Sequence, residues 1–290
     1  MKLWLYQDLA GWGEALLPIA LERGHDARLF VEAHEPDEGA VFVHMHHHPD
    51  SRGYDKELMA TLAGKDGLRL CPDPRSAILY DDKVEQFRQL ARWMPATMII
   101  TAMRDVPHAL ARLKIPLISK TSEGAGSKNV RLVATVGDSR AEADQALDGN
   151  GIVCHYDQRQ RGYLLWQEFL AGNEYDFRVI AIGRERLILR RGNREDRPMA
   201  SGSGNEMPIQ WPDAEASEVL AFAYSFFAAE GFRWCGVDIV RDHARERWVI
   251  LEMTVGYPLG KMRDHTFVSG RSGAEYWSIV MDEIENGTVF

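Results

Sequence analysis

Ile115-Pro116-Leu117-Ile118-Ser119-Lys120, continuing as Thr121-Ser122-Glu123-Gly124-Ala125-Gly126-Ser127, sets a cation at the end of a short apolar strand with a glycine-rich loop directly after it. Glycine admits backbone conformations that let N–H groups approach an anion closely, and a fixed positive charge beside them suits phosphate oxygens. The loop is not a P-loop, because it lacks G-x-x-x-x-G-K-[ST] and leads into a strand rather than a helix. Taken alone, Lys120 is a surface lysine before a hairpin.

Three further signals follow it in the chain. Trp166-Gln167-Glu168-Phe169-Leu170 has the composition of a core strand, with main-chain N–H and C=O groups at its end that can pair with a planar heterocycle. Gly236-Val237-Asp238-Ile239 and Leu251-Glu252-Met253-Thr254 each carry one carboxylate among apolar residues. A buried carboxylate is costly unless it is paired with a cation or bound to a metal, and Mg²⁺ prefers such hard oxygens. In this order the signals suggest a nucleoside triphosphate held with a divalent cation, with pairing to arginine the simpler alternative for the carboxylates.

The chain around these signals alternates strand and helix at first. Strands are expected at 2–6, 27–31, 40–45 and 68–71, and helices at 14–23 and 54–63, which is a small parallel α/β layer. Pro72-Asp73-Pro74 breaks the pattern, and one charged helix is expected over 76–93. Shorter strands at 97–101, 117–120 and 130–134, with helices at 106–113 and 139–147, form an α+β unit. Strands at 164–170, 177–182, 187–191, 236–241 and 249–253, with helices at 214–230 and 275–285, complete the chain. The expected divisions are 1–75, 76–160 and 161–290.

The chain has 290 residues, 45% hydrophobic and 27% charged, enough to bury a substantial core. Its net charge of −9 argues against nucleic acid or an anionic membrane as partner, since both need a basic surface. Cys71, Cys154 and Cys235 are odd in number and lack C-x-x-C spacing, which points to a reducing cytoplasm. Gln7, Asp8 and Glu14 interrupt the first apolar residues, so no secretion signal or membrane span is expected. His44, His46, His47 and His48 are adjacent in an extended segment, where side chains diverge; a polar loop lining a substrate pocket suits them better than a metal site.

These motifs resemble the ATP-grasp superfamily, and most closely its carboxylate–amine ligase branch related to the enzyme that adds glutamate to ribosomal protein S6. The resemblance covers about residues 81–260, and the first eighty residues fit by architecture only. It implies an α/β and α+β ATP-grasp fold: a short pre-domain, then nucleotide bound between a middle lobe and a C-terminal lobe. Asp82-Lys83 with Pro95-Ala96-Thr97 looks like the family's opening of the middle lobe, which brings Lys83 to the phosphates beside Lys120. Gly124, Gly126 and Ser127 match its small glycine-rich loop, and Gln167, Glu168, Phe169 and Leu170 its adenine-binding hinge. Asp176-Phe177-Arg178 follows as in the same branch. Alternation on a strand turns Asp176 and Arg178 to one face, toward the ribose and the reacting centre respectively.

An arginine on the following strand assists the γ-phosphate in the family. Of Arg190 and Arg191, which face opposite ways, Arg190 is expected to take that role. Asp238, Glu252 and Thr254 correspond to the Mg²⁺ ligands, with Thr254 standing where the family has asparagine, so the second of two metals is in question. The implied cofactors are ATP and Mg²⁺, with Mn²⁺ as a substitute. The implied partners are a small-molecule or peptide carboxylate and an amine such as an amino acid, and a homodimer is compatible. The implied reaction joins the two as an amide through an acyl phosphate. A degenerate ATP-binding module and a phosphotransferase without ligation are the alternatives.

Overall fold

The computed structural model describes residues 1–8, 10–30, 36–43, 49–124, 129–155, 158–193, 206–257 and 262–290. Strands β1 (Lys2–Tyr6), β2 (Asp26–Phe30), β3 (Gly39–Phe42) and β4 (Leu68–Cys71) pair in parallel in the order β2-β1-β3-β4. Parallel neighbours need long crossovers, which α1 (Trp12–Glu22) and α2 (Pro49–Ala63) provide. Leu3-Trp4-Leu5 and Ala40-Val41-Phe42 are buried without alternation, as in parallel strands covered on both faces.

The single helix expected over 76–93 is two helices, α3 (Pro74–Leu79) and α4 (Lys83–Leu90), followed by a 3-10 turn at Ala91–Trp93. Asp81 breaks it with a left-handed φ of 48°, and the Asp82 carboxylate caps α4 by accepting from the Glu85 N–H at 3.0 Å. An aspartate that can cap a new helix competes with continuing the old one. The break makes Lys83 the first residue of α4.

The middle lobe is an antiparallel sheet of β5 (Thr97–Ile100), β6 (Leu117–Lys120), β7 (Val130–Val133) and, beyond a hairpin of β8 (Ile152–His155) and β9 (Gln158–Gln160), β10 (Leu164–Glu168). Its order is β5-β10-β6-β7. Thus β10, which falls in the expected third segment, lies centrally in the middle sheet. Helices α5 (Val106–Leu113) and α6 (Val136–Leu147) cover the sheet, and Ile100, Leu117, Leu164 and Trp166 form a core separate from the main one.

The third sheet, β13 (Glu206–Met207), β12 (Glu185–Gly192), β11 (Tyr175–Ile182), β14 (Trp234–Asp242) and β15 (Arg247–Thr254) in that order, is antiparallel throughout. Helix α7 (Ala214–Glu230) starts at the Asp213 cap and stops at Gly231, whose φ is 78°; α8 (Tyr276–Glu285) lies near the chain's end. This sheet and the first layer share one core. Phe42 meets Trp234 edge-on at 5.6 Å, and Trp12 meets Tyr257 and Tyr276 at 6.0 Å each. The molecule therefore has a two-layer body and a middle lobe with its own interior. Among the described residues no helix is long and apolar enough to cross a membrane, and the three cysteines are buried and form no disulfide.

Candidate functional site

Among the described residues strand β15 pairs only with β14, so its outer edge presents backbone groups that need partners. Side chains supply them. The Gln86 amide donates to Met253 O at 2.7 Å and to Leu79 O at 2.8 Å, and its oxygen accepts from the Met253 N–H at 2.9 Å. Lys120 Nζ, from the end of β6, donates to Leu251 O at 3.3 Å and to Gln167 Oε1 at 2.8 Å. Gln167 in turn donates to Thr97 Oγ1 at 3.0 Å. The sheet edge thus becomes a wall against which α4 and the middle lobe dock.

Lys83 reaches the same place from α4, 3.0 Å from Glu252 Oε1 and 3.7 Å from Asp81 Oδ1, and donates to Gly124 O at 3.0 Å. Both lysines are buried, at 4% and 7% exposure, yet their electrostatics differ. Burial lowers the Lys83 pKa, but Glu252 and Asp81 outweigh it and leave it raised. Burial lowers Lys120 to about 8, with Glu252 opposing and Lys83 adding to the depression. Among the described residues Lys120 makes no ion pair. Two converging cations, one without a counterion, are what an anionic ligand would complete.

Gly124 closes this corner. Its φ is 116°, and a Cβ there would fall on Asn129 Nδ2 and within 2.6 Å of Cys154 O, so only glycine fits. Its N–H donates to Asp81 Oδ1 at 2.9 Å. Gly126 and Ser127 lie outside the described residues, as do His44–His48, Arg197 and the turn at 201–204.

On the sheet face, Arg178, Asp238 and Glu252 stand directly opposite one another across β11, β14 and β15. Arg178 donates from Nε to Asp238 Oδ1 at 2.7 Å and from Nη2 to Oδ2 at 2.9 Å. Arg191, opposite Asp176, donates to both oxygens of that aspartate at 2.8 and 2.6 Å and approaches Asp238 Oδ2 to 2.9 Å. Burial alone would raise the Asp238 carboxyl, but Arg178 and Arg191 together hold it well below the usual range. Asp176, expected to reach toward a ribose, is instead fully buried with both oxygens engaged.

Arg190, expected to assist the γ-phosphate, lies on the face of β12 opposite to that of Arg191. Arg190 lies opposite Phe177, donates to Asp213 Oδ2 at 2.7 Å, and stacks over Tyr175 and Phe177 at 5.1 and 5.0 Å. Alternation along one strand shows that Arg190 and Arg191 differ in facing; only the pairing of Arg191 with Asp176 shows which one joins the carboxylates. Arg191, Asp81 and Gln86 join this cluster, and the sequence motifs do not reveal them.

Thr254 sits two residues beyond Glu252 on the same face, and its hydroxyl donates to Gly256 O at 2.7 Å. At the expected hinge, the Glu168 N–H donates to Ala96 O at 2.8 Å, and its carboxylate pairs with Arg245 at 3.0 Å. Phe169 and Leu170 are half-buried beyond it, and Leu170 O accepts from Asn173 at 3.1 Å. Among the described residues no cluster of three or more His, Cys, Asp or Glu side chains is placed to hold a metal. Asp238 and Glu252, directly opposite, still suit Mg²⁺, which is commonly held by one or two carboxylates with substrate phosphates filling the remaining positions.

The parallel layer, the antiparallel middle lobe and the five-stranded sheet together make an ATP-grasp fold. Solved structures match this chain almost from end to end. A RimK domain protein of the ATP-grasp kind from Sphaerobacter thermophilus superposes with a TM-score of 0.60 at 16% identity, over 98% of this chain and 99% of that one. The ATP-grasp ligase PsnB, complexed with a minimal precursor, Mg and ADP, gives 0.59 at 15% identity over 98% of each chain. D-alanine–D-alanine ligase from Bacillus anthracis gives 0.60 at 14% identity, over 99% of this chain and 96% of its own. No family model matches the sequence, and no curated protein matches it.

Proposed function

We propose that this protein is an ATP-dependent carboxylate–amine ligase of the RimK-like kind, joining a small-molecule or peptide carboxylate to an amine in the cytoplasm. The observation that carries this reading is the convergence of Lys83, paired with Glu252, and Lys120, donating to Leu251 O, on the same stretch of β15, with Lys120 buried and, among the described residues, without an ion pair. Two ligases of the same fold support it, one named with Mg and ADP bound and the other for joining two alanines.

In this reading the γ-phosphoryl group passes to a carboxylate oxygen and ADP leaves. The amine nitrogen then attacks the acyl carbon, phosphate departs, and the nitrogen loses a proton to solvent. Lys83 and Lys120 hold the phosphates, Gly124 and its neighbours Gly126 and Ser127 line them, and Gln167, Glu168, Phe169 and Leu170 border the adenine. Arg178, fixed by Asp238, faces the transferring group, and Arg191 rather than Arg190 supports it. Mg²⁺, when bound, would neutralise phosphate charge, and Asp238, Glu252 and the nearby Thr254 hydroxyl are the groups that would hold it.

The test is ADP release that requires both a carboxylate and an amine, with the joined product identified by mass spectrometry. One observation favours a second reading, a nucleotide-binding module without turnover: both oxygens of Asp238 are already engaged by two arginines. ATP binding with no ADP release across a panel of amino acids would establish that instead. A stable phosphorylated product formed without amine would indicate a phosphotransferase.

A further inference from the structure

Arg52 lies on α2, in the first layer, yet its guanidinium is buried at 7% exposure against the loop that follows β6. Nη1 donates to Asp81 Oδ2 at 2.6 Å, and Nη2 stands 2.6 Å from Glu123 Oε2. Asp81 is itself buried at 4% exposure, holds the left-handed φ of 48°, and uses its other oxygen to accept the Gly124 N–H at 2.9 Å. On the far side of the same residue, Gly124 O accepts from Lys83, which is paired with Glu252 of β15. Gly124 is therefore tied through its N–H to the first layer and through its C=O to the third sheet.

A buried guanidinium is retained only where its charge is matched, and an aspartate held in a left-handed conformation needs surroundings that over-determine it. Arg52 meets both conditions at once. Its planar fork spans Asp81 and Glu123, which a single ammonium group would not do.

We infer that Arg52 is a positioning residue for nucleotide binding: through Asp81 and Glu123 it fixes the Gly124 backbone at the phosphate site, coupling the first layer to the loop without touching the nucleotide. This rests on the nucleotide site proposed above. In the ligase it makes α2, which follows the segment between β3 and α2, a means by which the first layer sets nucleotide affinity.

The test uses the full chain and two readouts. Hydrogen exchange at the Gly124 amide, followed by NMR, reports the loop directly and needs no ligand; calorimetry with ATP and Mg²⁺ reports affinity. Arg52→Gln should accelerate Gly124 exchange at least tenfold relative to the α2 amides and weaken ATP binding about tenfold. Arg52→Lys should give an intermediate result on both. Glu123→Gln, at a partly exposed position, should shift both by about threefold, and it decides the matter with Arg52→Lys if Arg52→Gln does not fold. Wild-type exchange at Gly124 in the variants would overturn the inference. So would faster exchange with unchanged ATP affinity, since the residue would then hold the loop without serving the nucleotide. If the wild type binds no ATP, the nucleotide reading fails and the positioning role falls with it, while Gly124 exchange still shows whether Arg52 fixes the loop.

Discussion

The two sides of this charged cluster treat buried charge in opposite ways. On the C-terminal sheet, Arg178 and Arg191 interlock with Asp176 and Asp238, so each of these four has a charged partner within 3 Å. Across from it, Lys83 has Glu252, but among the described residues Lys120 has only a side-chain amide and a main-chain carbonyl. The arginine wall is complete in itself and acts as a frame. The lysine wall carries a cation that the protein does not neutralise, which is costly in a folded interior unless a ligand brings the counter-charge. Where a fold leaves a buried charge open, a ligand site is the economical explanation.

Glu252→Gln should break this contrast most severely. It removes both a carboxylate suited to Mg²⁺ and the partner of Lys83, and ADP release should fall by about 100-fold or more. Wild-type rates across a Mg²⁺ titration would contradict the assignment.

The paired substitutions Arg191→Lys and Arg190→Lys sharpen the comparison between sheet faces. Arg191→Lys keeps the charge but loses the fork that meets Asp176 and Asp238, and should lower turnover about tenfold. Arg190→Lys should leave turnover within about twofold and cost about 1 kcal/mol in stability, because Arg190 stacks on Tyr175 and Phe177 and binds the cap of α7. Equal effects on ADP release would contradict the register argument.

The two lysines should also separate by pH. Lys120 in the folded protein titrates near 8, below its ordinary 10.5, so between those values the folded chain binds fewer protons than the unfolded one. Lys120 then contributes stability to the free protein that grows as pH rises through that window. A phosphate ligand prefers the charged lysine, so ATP affinity should move the other way, falling by up to about tenfold per pH unit above 8 until the lysine of the complex also loses its proton. Calorimetry from pH 7 to pH 9.5 would show this, and a flat profile would remove Lys120 from contact with the phosphates.

Much of this arrangement was legible in the sequence because it depends on local signals. Asp238 and Glu252 stand out as lone carboxylates in apolar runs, and Lys120 and Gly124 as a cation and a turn at the end of a strand. The parts that were hidden depend on pairing at a distance. Choosing between Arg190 and Arg191 required the register of β11 against β12. The break at Asp81 was masked by a continuous helical pattern on both sides, although Asp82 is a good cap. Arg52 gives no local hint that it reaches a loop some seventy residues away. The β8–β9 hairpin is formed by strands of only four and three residues, too short for a clear alternation.

The most direct test is titration of ATP with Mg²⁺ into the wild type and Lys120→Met, with folding of both checked by far-UV circular dichroism. Methionine keeps the length and apolar stem of the lysine and removes only the charge. The wild type should bind, and the variant should bind about 100-fold more weakly with an unchanged spectrum, because the charge missing from the lysine wall is the one the phosphates complete. Equal ATP affinity in two equally folded proteins would show that the buried, uncompensated lysine is not there for a nucleotide, and the central claim would fail.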